Sequence, residues 1–394
     1  MAKKSATKRR DGRYMAYAVL PSGRKAVYAG TEEDAVRMAL LLEEEAREYE
    51  EKVKFTFSGV FSRWFLLKLE GVKPQTADRI EYTYNKYFRD DPIGSMDIRQ
   101  MDSLFCLEWL LSALNRQPVT YKEFQRIMQL FAGVYGYGVD FLGMPDSVSW
   151  ARVRRNIPRN KFAVSARKEY AVPESSIAAI SGAVRDGMTA FRKPSATALL
   201  YCNFYLGLRI GELASLRWSD VDFGLRCVHV THTETRHHER GRDGTRTGNV
   251  IYDRQALPKT SAGVRTVPLV QEAYDILLLI RRYHLCMGYR SGYVAYDGKD
   301  TRAVADSLRK TLRSLCRSLG LPEFNSHLIR KTVATRLHNA GVATRQVSDL
   351  LGHSDISTTE RSYIISMEGS LDLMRKCLEE ALAVSGGSGF MDSP

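Results

Sequence analysis

The hydrophobic period of this chain changes at Phe55, and that change excludes one uniform fold. Before it, "DGRYMAYAVL", the turn "PSG" and "RKAVYAG" alternate apolar with polar residues, the two-residue period of antiparallel strands. After it, Phe57, Val60, Phe61, Trp64 and Phe65 recur at i, i+3, i+4, i+7 and i+8, one face of a helix. "PQTADRIEYTYNKYF", "MDSLFCLEWLLSAL" and "TYKEFQRIMQLFAGVYGYGV" predict three more helices, so an all-helical bundle extends to about Leu142. Between sheet and bundle, Thr31 with Asp34 three residues on resembles a capping box. Ala35, Met38, Ala39 and Leu42 mark the helix it opens, which "EEEAREYEEK" continues as a polar spacer.

A third unit starts near "YAVPESSIAAI", where Pro173 and Ser175 signal a helix start. It reads as mostly helical, interrupted by "CVHVTHTE", a polar loop, "RQALPKT" and "VRTVPL". Leu371, Met374, Leu378 and Leu382 line one side of a last helix before a Gly/Ser tail. With 394 residues, more than one ordinary core holds, the expected class is multidomain α+β. A small β-sheet-plus-helix domain covers 1–54, an all-α bundle 55–148 and a basic linker 149–169. A mainly α domain with a small antiparallel sheet covers 170–384, and a flexible tail 385–394.

Net charge is +13, which favours a polyanionic partner, and its distribution sharpens the point. Residues 1–30 carry eight Lys/Arg against Asp11 alone, while residues 31–60 carry nine acids against four bases. A basic head, an acidic spacer and a basic body point to nucleic acid. Lys3, Lys4, Arg9 and Arg10 in the arm are candidate contacts. So are Arg152, Arg154, Arg155 and Arg159, clustered around Pro158 in the connector. No run has the apolar length of a membrane span and no apolar signal segment follows the start, so the expected location is cytoplasmic. The six cysteines form no CxxC pair, and His237-His238 sits in a polar Arg/Gly stretch without a cysteine, so no metal site is expected.

The chemistry concentrates in the third unit. In "LGLRIGELASLRWSDVD" an apolar helix ends at Gly207 and another starts at "GELASL", which leaves Arg209 on the turn between them. In "PKTSAGVRTVPL", Lys259 is the only lysine between Lys193 and Lys299. A lysine among many arginines suggests a group that must give up a proton. In "SHLIRKTVATRLHNAG", His327 and Arg330 are i, i+3 and share a helix face. "LGHSDISTTERSY" adds His353 and Tyr363, the only tyrosine beyond Tyr296. Two guanidinium groups can hold the non-bridging oxygens of a reacting phosphodiester without metal. A tyrosine oxygen can form a covalent phosphoester, and lysine and histidine can move the protons.

"LGLRIGEL", "PKTSAGVRTVPL", "HLIRKT-AT" and "LGHSDISTTERSY" resemble, in order, the four signature segments of the tyrosine recombinase (phage integrase) family, over about residues 170–384. The organisation is most similar to integrases of conjugative transposons and temperate phages. The resemblance implies that Arg209 and Arg330 clamp the scissile phosphate and that Lys259 is the general acid for the leaving 5′ oxygen. It implies His327 in proton transfer, His353 as a phosphate hydrogen-bond donor and Tyr363 as nucleophile, with Glu212 orienting rather than reacting. It further implies no metal or ATP, double-stranded DNA bound at arm sites by residues 1–54 and at core sites by 55–148, a homo-oligomer (a tetramer) on DNA, and an accessory excision factor. Leu206, Lys331 and Ile364-Ile365 depart from the residues common in the family, and none of these departures removes a reactive group. Two alternatives stay open: a type IB topoisomerase-like enzyme that relaxes DNA, and a catalytically silent DNA-binding regulator on the same scaffold.

Overall fold

Strand β2 (Tyr14–Leu20) pairs antiparallel with the short β1 (Thr7–Lys8) on one side and with β3 (Gly23–Ala29) on the other. Its alternation buries Ala16 and Ala18 beside Val27, where Ala35 and Ala39 of helix α1 (Glu32–Lys54) cover them. Small residues on both surfaces let helix and sheet approach closely. Thr31 caps the helix as expected: its hydroxyl accepts from the Asp34 amide at 3.2 Å and donates to the Asp34 carboxylate at 2.7 Å. This computed structural model describes residues 5–20, 23–163, 171–257, 263–298 and 302–352. The chain divides into two units, residues 1–166 with 237–250, and residues 167–236 with 251–394.

The rest of the first unit is a helical bundle of α2 (Phe57–Gly71), α3 (Pro74–Tyr87), α4 (Ser103–Arg116) and α5 (Tyr121–Leu142). Thr56, Asp102 and Thr120 each accept a backbone N–H at a helix start, and Gly143, at φ 68°, closes α5. Phe57, Phe88, Trp109 and Phe131 pack as one aromatic cluster, Phe88 stacking on Trp109 at 4.7 Å and Phe131 meeting Phe57 edge-on at 5.4 Å. The basic connector is partly folded. Helix α6 (Trp150–Arg155) lays Trp150 edge-on against Phe131 at 5.1 Å and buries Val153. Its apolar side is pinned to the bundle, so Arg152, Arg154, Arg155 and Arg159 all face solvent.

The expected polar loop of the third unit is a correction. "THTETRHHERGRDGTRTGNVIYDRQ" forms a long two-stranded ribbon, β6 (His232–Arg240) and β7 (Arg246–Ala256). Residues 237–250, its outer part, belong to the first unit. There Arg240 donates to Asp78 at 2.8 Å and to Glu81 at 2.7 Å, and Arg246 donates to Glu81 at 2.6 Å. His238 meets Asp78 through both its backbone N–H, at 2.9 Å, and its ring. Arg240, Arg246 and His238 fit this outer part because their partners lie on α3, which no local pattern reveals.

The second unit is organised around α8 (Pro194–Leu206), buried on nearly every side. It packs among α7 (Glu174–Gly187), α10 (Gln271–Cys286), α11 (Ala305–Ser318) and α12 (Ser326–Asn339). A short helix α9 (Ile210–Ser215) follows α8. Strands β4 (Val221–Asp222), β5 (Cys227–Val230) and β8 (Arg265–Pro268) form an antiparallel sheet with β5 central, Val228 opposite both Val221 and Val267. Helix α13 (Thr344–Leu351) ends at Gly352, φ 66°. Among the described residues, no helix is long and apolar enough to cross a membrane.

Candidate active site

The site is built on the turn after α8. Gly207 adopts φ 63°, a conformation open to glycine. A Cβ there would stand 2.8 Å from Leu351 Cδ2 and 3.3 Å from Val333 Cγ1. The buried Asn203 amide fixes the next residue from both sides: Leu208 N–H donates to Oδ1 at 2.8 Å and Nδ2 donates to the Leu208 carbonyl at 3.1 Å. Arg209 then begins α9 in extended conformation, and its amide donates to the carboxylate of Glu212, at the third helical position, at 2.9 Å. The turn is therefore rigid just where Arg209 leaves it.

Three arginines converge on the end of α13. Arg265 Nε donates to the Leu350 carbonyl at 2.7 Å. Arg330 Nη2 donates to the Leu351 carbonyl and Arg209 Nη2 to the Gly352 carbonyl. The last carbonyls of a helix lack partners of their own, and its C-terminus carries partial negative charge, so three successive oxygens take three cations. Arg330 also donates to the Gly207 carbonyl at 3.0 Å and is 3% exposed, whereas the Arg209 side chain is 43% exposed. The structure thus brings together Arg209 and Arg330, which lie far apart in sequence, one open and one beneath.

One carboxylate balances them. Glu212, 2% exposed, accepts from the Arg209 amide, from Arg209 Nη1 at 2.8 Å, and from Arg265 Nη1 and Nη2 at 3.1 and 2.7 Å. Burial pushes its carboxyl up, but the hydrogen bonds and charge of Arg265, with Arg209, outweigh this and hold it below the usual glutamate range. Burial, reinforced by the Arg209 charge and opposed by Glu212, brings the Arg330 guanidinium down to about 9. Three positive charges face one negative, and the surplus suits a phosphodiester.

His327 lies one turn before Arg330 on α12, exposed at the edge of a cavity of about 660 Å³ that Arg309, Arg313 and Lys331 also line. Lys259, His353 and Tyr363 lie outside the described residues, as do Lys3 and Lys4. Arg9 and Arg10 are exposed beside the small sheet, with Arg9 over the Tyr28 ring at 5.2 Å. Arg265 is the residue that sequence reasoning missed. A signal was available, because "RTVP" puts Arg265 in the same inward-facing phase of β8 as the buried Val267, and a cation there demands a partner. Among the described residues, no cluster of His, Cys, Asp or Glu could hold a metal ion.

Comparison with known proteins supplies the family. The chain belongs to the phage integrase family, whose sequence pattern matches residues 172–368. It is 26% identical over 304 residues to a XerC-like tyrosine recombinase of Caldanaerobacter subterraneus subsp. tengcongensis, covering 74% of each chain. It is 29% identical over 170 residues to the transposase from transposon Tn916 of Enterococcus faecalis, covering 40% of this chain and 39% of that one. Its fold is similar to that of the Tn1549 transposon integrase, solved in complex with transposon right end DNA. That match has a TM-score of 0.60 at 19% identity and covers 82% of this chain and 99% of the other.

Proposed function

We propose that this chain is a site-specific DNA recombinase that integrates and excises a mobile element, cutting and rejoining double-stranded DNA through a 3′-phosphotyrosyl intermediate. The observation that carries the reading is the pairing of Arg209 with the buried Arg330 on adjacent carbonyls, at the end of the helix that leads to His353 and Tyr363. The two guanidinium groups bind the non-bridging oxygens of the scissile phosphate and stabilise the charge that grows as the phosphorus is attacked. Tyr363 is the nucleophile, Lys259 protonates the leaving 5′ oxygen, His327 serves in proton transfer and His353 donates to the phosphate. The phosphotyrosyl bond keeps the energy of the broken phosphodiester, so rejoining needs neither nucleotide nor metal.

The relatives carry the rest of the reading. A Tn1549 integrase was solved on transposon DNA, and a lambda integrase dimer, similar to this chain with a TM-score of 0.52, was solved on a core site. By analogy, residues 1–54 bind arm sites, with Lys3, Lys4, Arg9 and Arg10 on phosphates. Residues 55–148 bind core sites, and Arg152, Arg154, Arg155 and Arg159 of the connector follow the backbone. The chain acts as a tetramer on DNA, with an accessory factor biasing excision, in the cytoplasm.

The test incubates full-length protein, in EDTA, with nicked duplex from the end of the element that encodes it. The expected product is a covalent protein–DNA adduct that Tyr363→Phe does not form. An adduct with Tyr363→Phe sinks the assignment, and relaxation of plasmids at dispersed sites would instead favour a topoisomerase.

A further inference from the structure

Glu212 has no acceptor capacity to spare. Two bonds come from Arg209 and two from Arg265, and a carboxylate offers about four lone-pair positions. Arg265 is itself 8% exposed, enters from a different strand, and spends its remaining Nε on the Leu350 carbonyl. Its three nitrogens thus serve the two groups that fix the site: the carboxylate that holds Arg209, and the helix end on which Arg209 and Arg330 rest.

We infer that Arg265 is a positioning residue for DNA cleavage, which shares the charge of Glu212 so that the Arg209 guanidinium stays available to the scissile phosphate. This rests on the recombinase reading above. Without Arg265, the two acceptor positions it fills on Glu212 fall vacant, and the full negative charge is left to Arg209. The Arg209 side chain is long and 43% exposed, so it can turn to engage the carboxylate with both terminal nitrogens, the fork geometry that guanidinium and carboxylate prefer. A guanidinium so engaged has fewer donors and less net charge for a phosphate. Arg265 therefore acts through Glu212 and touches no DNA.

Paired substitutions separate this role from simple support of the fold. Full-length Arg265→Gln, Arg265→Lys and the double variant Glu212→Gln with Arg265→Gln are compared with wild type on the nicked element-end duplex. The single-turnover rate of adduct formation and the affinity for uncut duplex are both measured. Arg265→Gln should cleave roughly 10- to 100-fold more slowly while keeping affinity within about twofold, the loss expected when one charged donor is weakened rather than removed. Arg265→Lys, which retains the charge, should recover most of the rate. The double variant removes the competing carboxylate and should cleave at least about fivefold faster than Arg265→Gln, although it is further from the native sequence.

A purely structural Arg265 predicts the opposite, with losses that accumulate in the double variant and no rescue by lysine; either result overturns the inference. Should Arg265→Gln fail to melt cooperatively, the double variant decides alone, since it buries no unpaired carboxylate. Cleavage within about tenfold of wild type supports the inference, and a larger loss in folded protein overturns it. If wild type forms no adduct, the recombinase reading itself has failed, a result separate from any ranking of the variants.

Discussion

Replacing Arg330 by Met should remove cleavage while leaving the fold nearly as stable as before. Holding a guanidinium down from 12.5 to about 9, by burial and by the Arg209 charge against that of Glu212, corresponds to a net electrostatic cost of about 4 to 5 kcal/mol, at roughly 1.4 kcal/mol per tenfold change. Against this stand two hydrogen bonds, to the Gly207 and Leu351 carbonyls, each about 1.5 to 3 kcal/mol when the donor is charged. The two contributions nearly cancel. Methionine fills most of the volume, so the added cavity is small, and the freed carbonyls set the remaining loss at about 1 to 3 kcal/mol. At roughly 2 to 4 °C per kcal/mol for a unit of this size, the midpoint should fall by less than about 12 °C, and unfolding should stay cooperative. Cleavage should fall by at least about 10²- to 10³-fold if, as proposed, this guanidinium stabilises the developing charge. Calorimetry and single-turnover adduct formation measure the two quantities on one preparation. A midpoint lowered by about 20 °C, well beyond the range that the freed carbonyls allow, or cleavage at the wild-type rate, would refute the idea that this buried charge is retained for chemistry at little gain in stability.

Three further outcomes follow from the same geometry. The lowered Glu212 carboxyl stabilises the folded state fully above its ordinary value of 4.5 and loses that contribution as pH falls through its lower folded value. Glu212→Gln should therefore melt below wild type at pH 7, by the roughly 3 kcal/mol of a broken buried pair, and the gap should close in acid. Gly207→Ala adds a side chain at positive φ and 2.8 Å from Leu351, so thermal melts should show a loss of about 1 to 3 kcal/mol. It should also slow cleavage, because it displaces the carbonyls that both arginines use. Replacing Arg152, Arg154, Arg155 and Arg159 together by glutamine should flatten the dependence of log affinity on log salt by about 0.9 for each phosphate no longer neutralised, leaving the cleavage rate of bound DNA unchanged.

Local chemistry was legible in the sequence. The helix from Phe57, the Thr31 cap and the end of α8 at Gly207 appear in the structure as the spacing implied. Each depends on residues within about eight positions of one another, where backbone geometry alone fixes which side chains share a face. Candidates for the reactive residues could also be proposed from the sequence, because phosphodiester chemistry accepts few side-chain types, and four ordered segments carry them.

Only tertiary structure decided the support. The outer part of the ribbon of β6 and β7 looked like a loop because the partners of Arg240 and Arg246, Asp78 and Glu81, lie about 160 positions earlier. Arg265 looked like an ordinary strand residue because its partners, Glu212 and the Leu350 carbonyl, lie 53 and 85 positions away. A buried charge needs a counter-charge and filled hydrogen bonds, and the chain meets that need by closing long loops rather than by local pattern. The sequence carries the residue types and their local spacing, and the packing decides which arginines lie open and which are buried.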